Sequence, residues 1–364
     1  MATLSELSRL GQAIWLDSID RNLLEKGGLQ ALVDAGVTGV TTNPTIFHKA
    51  ITGSADYDGS IAAQVRAQPN VDGNALFEAL TVADVQRGAD IMAPVYARTD
   101  GADGYVSIEV APDLAYDAQG TINSARHLWK KVARTNVMIK VPGTEPGLAA
   151  IETLIADGIN VNVTLLFAVQ RYEAVVRAWA RGLARCMQPR NVASVASFFV
   201  SRVDGKVDKL LESVQGGADL QGKSAIANAK LAYAKFLALM QEPDIAAQLA
   251  RGARPQRPLW ASTSTKNPKF RDVLYVETLI GRDTVNTLPP ETLSAFRDHG
   301  VAADTIGQDV PAAKALLATI SRHGIDLDAI TRALESEGVA SFKDSYDKLL
   351  ADLQLKRNKL AATA

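Results

Sequence analysis

Short apolar runs, each closed by polar turn residues and followed by a longer stretch with apolar positions three and four residues apart, recur along this chain. The runs are Ala13 to Asp17, Gly36 to Thr41, Tyr105 to Val110, Asn136 to Val141, Ile159 to Leu165, Val192 to Val200, Leu259 to Ser262 and Thr284 to Thr287. Their β-branched composition is that of strands covered on both faces. Between them, Asn74 to Arg98, Ile122 to Ala133, Leu148 to Asp157, Ala168 to Cys186 and Lys223 to Gln241 carry the spacing of helices with one buried stripe. Strands alternating with helices in this number predict an α/β fold, a single closed (β/α)8 TIM barrel.

Two excursions enlarge that unit. The first, about residues 52–103, separates the second and third strands and reads as helical, with a polar break near Gln68 to Gly73. The second is the tail, about 289–364, where periodic segments at Pro311 to Ser321, Leu327 to Glu335 and Val339 to Leu355 predict terminal helices packed on the barrel. Neither reads as an independent domain, so residues 1–364 are expected to form one.

Composition narrows the function classes. A formal net charge of -1 with 22% charged residues gives no electrostatic footprint for nucleic acid and no polybasic patch for a membrane surface. The lone Cys186 excludes an internal disulfide and a cysteine metal cluster. No apolar run approaches ~18 residues and no leader pattern opens the chain, so the expected location is the cytoplasm. His48, His127, His299 and His323 are scattered without metal-binding spacing and read as surface or packing residues, so no metal is expected. No dinucleotide fingerprint follows a strand, and Gly143 to Gly147 lacks the Walker ending, so no cofactor is expected. That glycine pair reads instead as a tight turn, with Pro146 in the first turn of the next helix.

Barrels of this type carry chemistry at the C-terminal ends of their strands. Those ends hold Asp17, Thr41 to Asn43, Glu109, Lys140, Asn162 with Thr164, Ser197 with Arg202, and Ser262 to Lys266. Lys140 stands inside Val137-Met-Ile-Lys-Val141, where an amine needs a reason to be. Burial disfavours the ammonium form of an amine, and a neutral amine attacks carbonyl carbon to form a Schiff base. The bland alternative is a strand-end lysine that snorkels to water. Imine chemistry also needs groups that move protons, and Asp17 and Glu109 are suited to it. Each has a structural alternative: Asp17 as cap of a helix beginning near Ile19, Glu109 as the ion-pair partner of Lys140. Arg202 suits phosphate, against a solvated salt bridge to Asp204 or Asp208, and Lys266 is a second cation where such barrels often bind phosphate.

Taken together the motifs resemble the transaldolase family of the pentose phosphate pathway. Gly39-Val-Thr-Thr-Asn-Pro-Thr-Ile-Phe47 is similar to its second-strand signature and Val137 to Leu154 to its Schiff-base lysine signature; Leu16-Asp17, Ser107 to Val110, Asn162 to Phe167 and Ser197 to Arg202 also match. The length and the first excursion look most like the actinobacterial and cyanobacterial branch. The resemblance implies a transferase that moves a dihydroxyacetone unit from fructose 6-phosphate or sedoheptulose 7-phosphate to erythrose 4-phosphate or glyceraldehyde 3-phosphate. It further implies that Lys140 forms the imine, Asp17 takes the hydroxyl proton at carbon–carbon cleavage, and Glu109 relays protons through a water held by Thr164. Asn43, Asn162 and Ser197 would bind the dihydroxyacetone part, with Thr41 and Phe199 completing the surface, and Arg202 and Lys266 would hold phosphate. One departure is Glu109-Val-Ala-Pro-Asp-Leu, where many relatives continue with Asp and Arg after Glu-Val. The other readings are a lyase of the short fructose-6-phosphate aldolase type, whose members look to carry glutamine and tyrosine in place of Glu109 and Phe199, and a non-catalytic barrel used for binding. The expected partners are small sugar phosphates; the oligomeric state, monomer or homodimer, stays open.

Overall fold

The computed structural model describes residues 4–361. Strands β1 (Gln12–Leu16), β2 (Gly39–Val40), β3 (Tyr105–Glu109), β4 (Val137–Pro142), β5 (Val161–Leu166), β6 (Ser194–Phe199), β7 (Arg257–Ala261) and β8 (Thr284–Leu288) form a closed parallel barrel in chain order, as the alternation predicts. The shortest departs furthest from expectation. Gly36 makes a turn with φ +112, leaving two residues of β2 as regular strand, although the Thr38 and Thr41 amides extend the ladder by donating to Ile14 and Leu16 carbonyls at 2.8 Å. β7 starts earlier than its apolar run because Arg257 sends its guanidinium sideways to the Ala102 carbonyl at 3.0 Å. β6 starts later than Val192, whose amide is taken by Pro189 in a preceding 3-10 turn.

Register decides what enters the barrel. Glu109 pairs with Lys140, and Lys140 with Asn162, so three polar side chains share the inner face at one level. Apolar rings close the barrel below them: Trp15 and Tyr105 lie 6.4 Å apart, and Trp15 Nε1 donates to Asp103 at 2.7 Å. Gly39 is required there, because a Cβ would come within 2.6 Å of the Trp15 ring. Outside, Phe198 stands edge-on to Tyr172 and Trp260, joining sheet to helices.

After helix Pro44–Thr52, the first excursion is helical as expected: Asp58–Ala67 and Gly73–Arg98, the latter capped by Asp72. It is tied to the barrel by a buried cluster in which Arg21 pairs with Asp84 at 3.2 Å and lies over the Tyr57 ring, while Tyr57 donates to Asp84 at 2.7 Å.

The tail forms helices Pro290–His299, Val310–Arg322 and Leu327–Ala361; residues 362–364, included in its expected span, lie outside the described residues. Two terminal segments were expected beyond Leu327, yet one helix of 35 residues runs through both. The apolar pattern breaks near Gly338, where the helix lies so close to the barrel that a Cβ would stand 2.9 Å from the end of the Leu165 side chain and push it aside. Beyond Gly338 the helix crosses the mouth to helix Pro44–Thr52 and the start of the first excursion, where Ser345 accepts from Thr45 at 2.9 Å and Lys356 donates to the Ile51 and Ser54 carbonyls. No helix among the described residues is long and apolar enough to cross a membrane.

Candidate active site

All of β4 is buried, and Lys140 is 5% exposed, so the snorkelling reading does not hold. Its Nζ donates to the Thr42 carbonyl at 3.0 Å and stands 3.7 Å from Glu109 Oε2. That second distance is an ion pair too long for a hydrogen bond, and Glu109 Oε2 has no hydrogen-bond partner among the described residues. Burial pushes the Glu109 carboxyl up to about 7; the Lys140 charge opposes this and the Asp17 charge adds to it. Glu109 is thus both the lysine's neighbour and an acid–base group poised near neutrality.

Asp17 ends β1 on the other side of the lysine. It is no helix cap, since the next helix, Arg21–Glu25, is capped by Asp20. Its Oδ1 accepts from Thr41 at 2.8 Å, and the Thr41 and Thr287 hydroxyls meet at 2.5 Å. With Thr41 donating its only proton to Asp17, Thr287 must donate to Thr41. Burial pushes the Asp17 carboxyl up, against Lys140, the Thr41 hydrogen bond and Lys266.

Beside them a polar ladder crosses the barrel. Ser197 donates to Asn162 at 2.7 Å and Asn162 to Ser107 Oγ at 3.0 Å. Thr164 is buried, and its hydroxyl has no partner among the described residues. Asn43 caps helix Pro44–Thr52, its Oδ1 accepting from Ile46 at 2.9 Å, while still lining the cavity above Lys140. The Gly143 to Gly147 segment is the turn it was expected to be, with Thr144 capping the helix that follows.

A cavity of about 150 Å³ opens over Lys140. Asp17, Thr41, Asn43, Ser197, Phe199, Arg202 and Lys266 all contribute to its wall. Glu109, Asn162 and Thr164 stand outside that wall. The salt-bridge alternative for Arg202 is overturned: Asp204 is occupied by Ser224, the Ala225 amide and Tyr275, and Asp208 holds the Gly222 amide. Arg202 has no carboxylate partner among the described residues; it lies instead between the Phe199 and Phe342 rings, 5.2 and 5.9 Å from their centroids. Burial lowers its pKa. Lys266 donates to Ser264 at 2.6 Å, also on the wall. A half-buried guanidinium and an ammonium, neither paired with acid, suit a ligand phosphate.

Ser264, from the Ser262 to Lys266 segment, lines the cavity too, and Phe342 and Thr287 line it without having been expected there. Phe342 roofs it, 6.0 Å from Lys140 Nζ. Nothing local marked it, because an apolar residue in a periodic helix reads as core. The histidines are peripheral as expected, with His48, His127 and His299 pairing with surface carboxylates.

An amine buried between two carboxylates at the mouth of a parallel barrel is the equipment of the lysine-dependent aldolase class, which works through a Schiff base. Comparison with known proteins narrows that class. The sequence model of the Transaldolase/Fructose-6-phosphate aldolase family matches residues 14–353, and the chain belongs to that family. It is 47% identical over 355 residues to a transaldolase of Thiobacillus denitrificans, covering 96% of this chain and 98% of the relative. It is 50% identical over 356 residues to a transaldolase of the actinobacterium Acidothermus cellulolyticus, covering 96% and 95%, and 43% identical over 371 residues to transaldolase 2 of a Nostoc species, covering 97% of each. The resemblance drawn from the motifs is borne out, as is the barrel.

Proposed function

We infer that this chain is a transaldolase, and that the single observation carrying the reading is the Lys140 amine held at the barrel mouth between Asp17 and Glu109 and facing two cations that have no acidic partner. Lys140 attacks C2 of a ketose phosphate. Glu109 in its acid form protonates the carbinolamine hydroxyl, which leaves as water. Asp17 takes the C4 hydroxyl proton as the C3–C4 bond breaks, and an aldose phosphate departs. The remaining dihydroxyacetone carbanion, delocalised into the imine, attacks an aldose phosphate acceptor, and water then releases the new ketose. Asn162 and Ser197, already hydrogen-bonded to each other, fix the hydroxyls of the three-carbon unit with Asn43, and Thr164 holds a water beside Glu109. Fructose 6-phosphate and erythrose 4-phosphate fit this scheme as donor and acceptor. Their phosphate charge keeps such substrates from crossing membranes unaided, which supports a cytoplasmic location for the enzyme.

The decisive experiment is a burst. Given fructose 6-phosphate alone, the enzyme should release about one glyceraldehyde 3-phosphate per active site and nearly stall, then resume when erythrose 4-phosphate is added. Steady production of free dihydroxyacetone without acceptor, at the acceptor-dependent rate, would establish a lyase instead. The phosphate site has its own test. Arg202→Ala should weaken phosphorylated donors by about 1.5 to 3 kcal/mol while leaving free dihydroxyacetone nearly untouched, as expected for one charge-assisted contact. Equal losses on the two substrates, measured as KM or competition constants, would remove the phosphate role.

A further inference from the structure

A second cavity, about 320 Å³, lies beside the barrel mouth, between helix Gly73–Arg98, helix Ala118–Val132 and helix Leu327–Ala361. Its inner end is formed by Thr42, Asn43 and Glu109; its outer end reaches exposed Asn74 and Ala75, with Ser124 on the opposite side. Glu109 therefore lines this chamber and not the one over Lys140. The mouth offers Arg202 and Lys266 beside Asp17, whereas the lateral wall holds Asp72, Glu78 and Glu109, of which Glu78 is paired with Lys131 and His127 and Glu109 stands beside Lys140. Among the described residues the lateral wall contributes no lysine or arginine, so it lacks the donors a sugar phosphate needs and leaves that chamber to water.

We propose that the lateral cavity is a water port, through which the water released and consumed at Lys140 passes while the sugar and Phe342 close the mouth. The proposal rests on the transaldolase reading and adds the route to it. In the forward step the amine adds to C2, Glu109 gives its proton to the hydroxyl, the C–O bond breaks, and one water leaves. In the reverse step a water adds to C2 of the imine, its proton returns to the Glu109 carboxylate, and the amine is expelled. Each passage moves one water, and the bound sugar stands between Lys140 and the open mouth. Glu109 reaches the inner end of this chamber, and its buried Oε2, without a hydrogen-bond partner among the described residues, stands 3.7 Å from Lys140 Nζ, so it marks where the route meets the amine.

The test is oxygen exchange. The enzyme is incubated with fructose 6-phosphate and glyceraldehyde 3-phosphate in ¹⁸O-water, and incorporation at C2 is followed by mass spectrometry. Ser124→Trp and Ala75→Trp, which narrow the outer opening from opposite sides, should each slow incorporation by about tenfold or more, a barrier increase of ~1.4 kcal/mol. The borohydride-trapped Lys140 adduct should still form in both. Asn123→Trp, exposed next to the opening but off its wall, should exchange at the wild-type rate. Unchanged exchange in either folded wall variant would overturn the port, as would equal slowing in Asn123→Trp. Absence of a trapped adduct in the wild-type enzyme would instead bring down the transaldolase reading beneath it.

Discussion

Lys140→Ala should lower kcat by roughly 10³-fold or more, because removing a covalent nucleophile takes away the reaction path and not merely a contact. Borohydride reduction in the presence of fructose 6-phosphate should label the wild-type protein at Lys140 and leave the variant unlabelled. Residual turnover near wild type, or a labelled peptide containing another lysine, would refute the assignment. The expectation rests on geometry: the amine is almost sealed, held by the Thr42 carbonyl at 3.0 Å, and stands 3.7 Å from a carboxyl. Losing the ammonium should also show in stability. Lys140 lowers the pKa of both Asp17 and Glu109, so without it both folded-state values rise further above their unfolded ones. A raised carboxyl pKa means that the folded state binds the extra proton, so stability falls as pH rises from the unfolded value through the folded one. The variant should therefore lose more thermal stability than wild type between acidic pH and pH 8, measured by calorimetry.

Glu109→Gln should cut kcat/KM for the donor by about 10²- to 10⁴-fold, the usual contribution of a positioned acid–base group. Its pH signature is more specific than its size. Burial holds the carboxyl up to about 7, so the acid form that expels water from the carbinolamine is present below that value and lost above it. For the wild-type enzyme kcat/KM for fructose 6-phosphate should fall along a limb with its midpoint near 7, and Glu109→Gln should lack that limb while keeping any other. A limb that survives the substitution would assign the titration to a different group. Asp17→Asn makes the contrast: imine trapping should persist, since Asp17 acts at cleavage, while glyceraldehyde 3-phosphate release should fail.

The barrel was legible because its strands are buried on both faces and so read as apolar runs with little interruption. Boundaries failed where a polar side chain escapes sideways, as Arg257 does in β7, or where a glycine turn cuts a strand short, as Gly36 does before β2. Lys140, Asp17 and Glu109 stood out as charges at apolar strand ends. Arg202 did not resolve itself, because its neighbours Asp204 and Asp208 in sequence are claimed in space by Ser224, Tyr275 and Gly222. Phe342 and Thr287 were hidden for the opposite reason. Their meaning lies in distant contacts, that of Phe342 with Lys140 about 200 positions away and that of Thr287 with Thr41 about 250 positions away, and no local spacing encodes such contacts.

The helix that roofs the site has a consequence for biogenesis. Residues 327–361 emerge from the ribosome after every barrel strand, and their anchors, Thr45 with Ser345 and Ile51 with Lys356, join positions some 300 residues apart in the chain. Those anchors can form only after this helix has been synthesised, since the chain grows from its N-terminal end. The barrel can assemble co-translationally with Lys140 already in place, yet Arg202 acquires its second aromatic wall only when this last helix docks. A nascent chain with this helix undocked would thus carry an uncovered amine but no finished phosphate pocket, and competence for sugar phosphates would arrive with its docking.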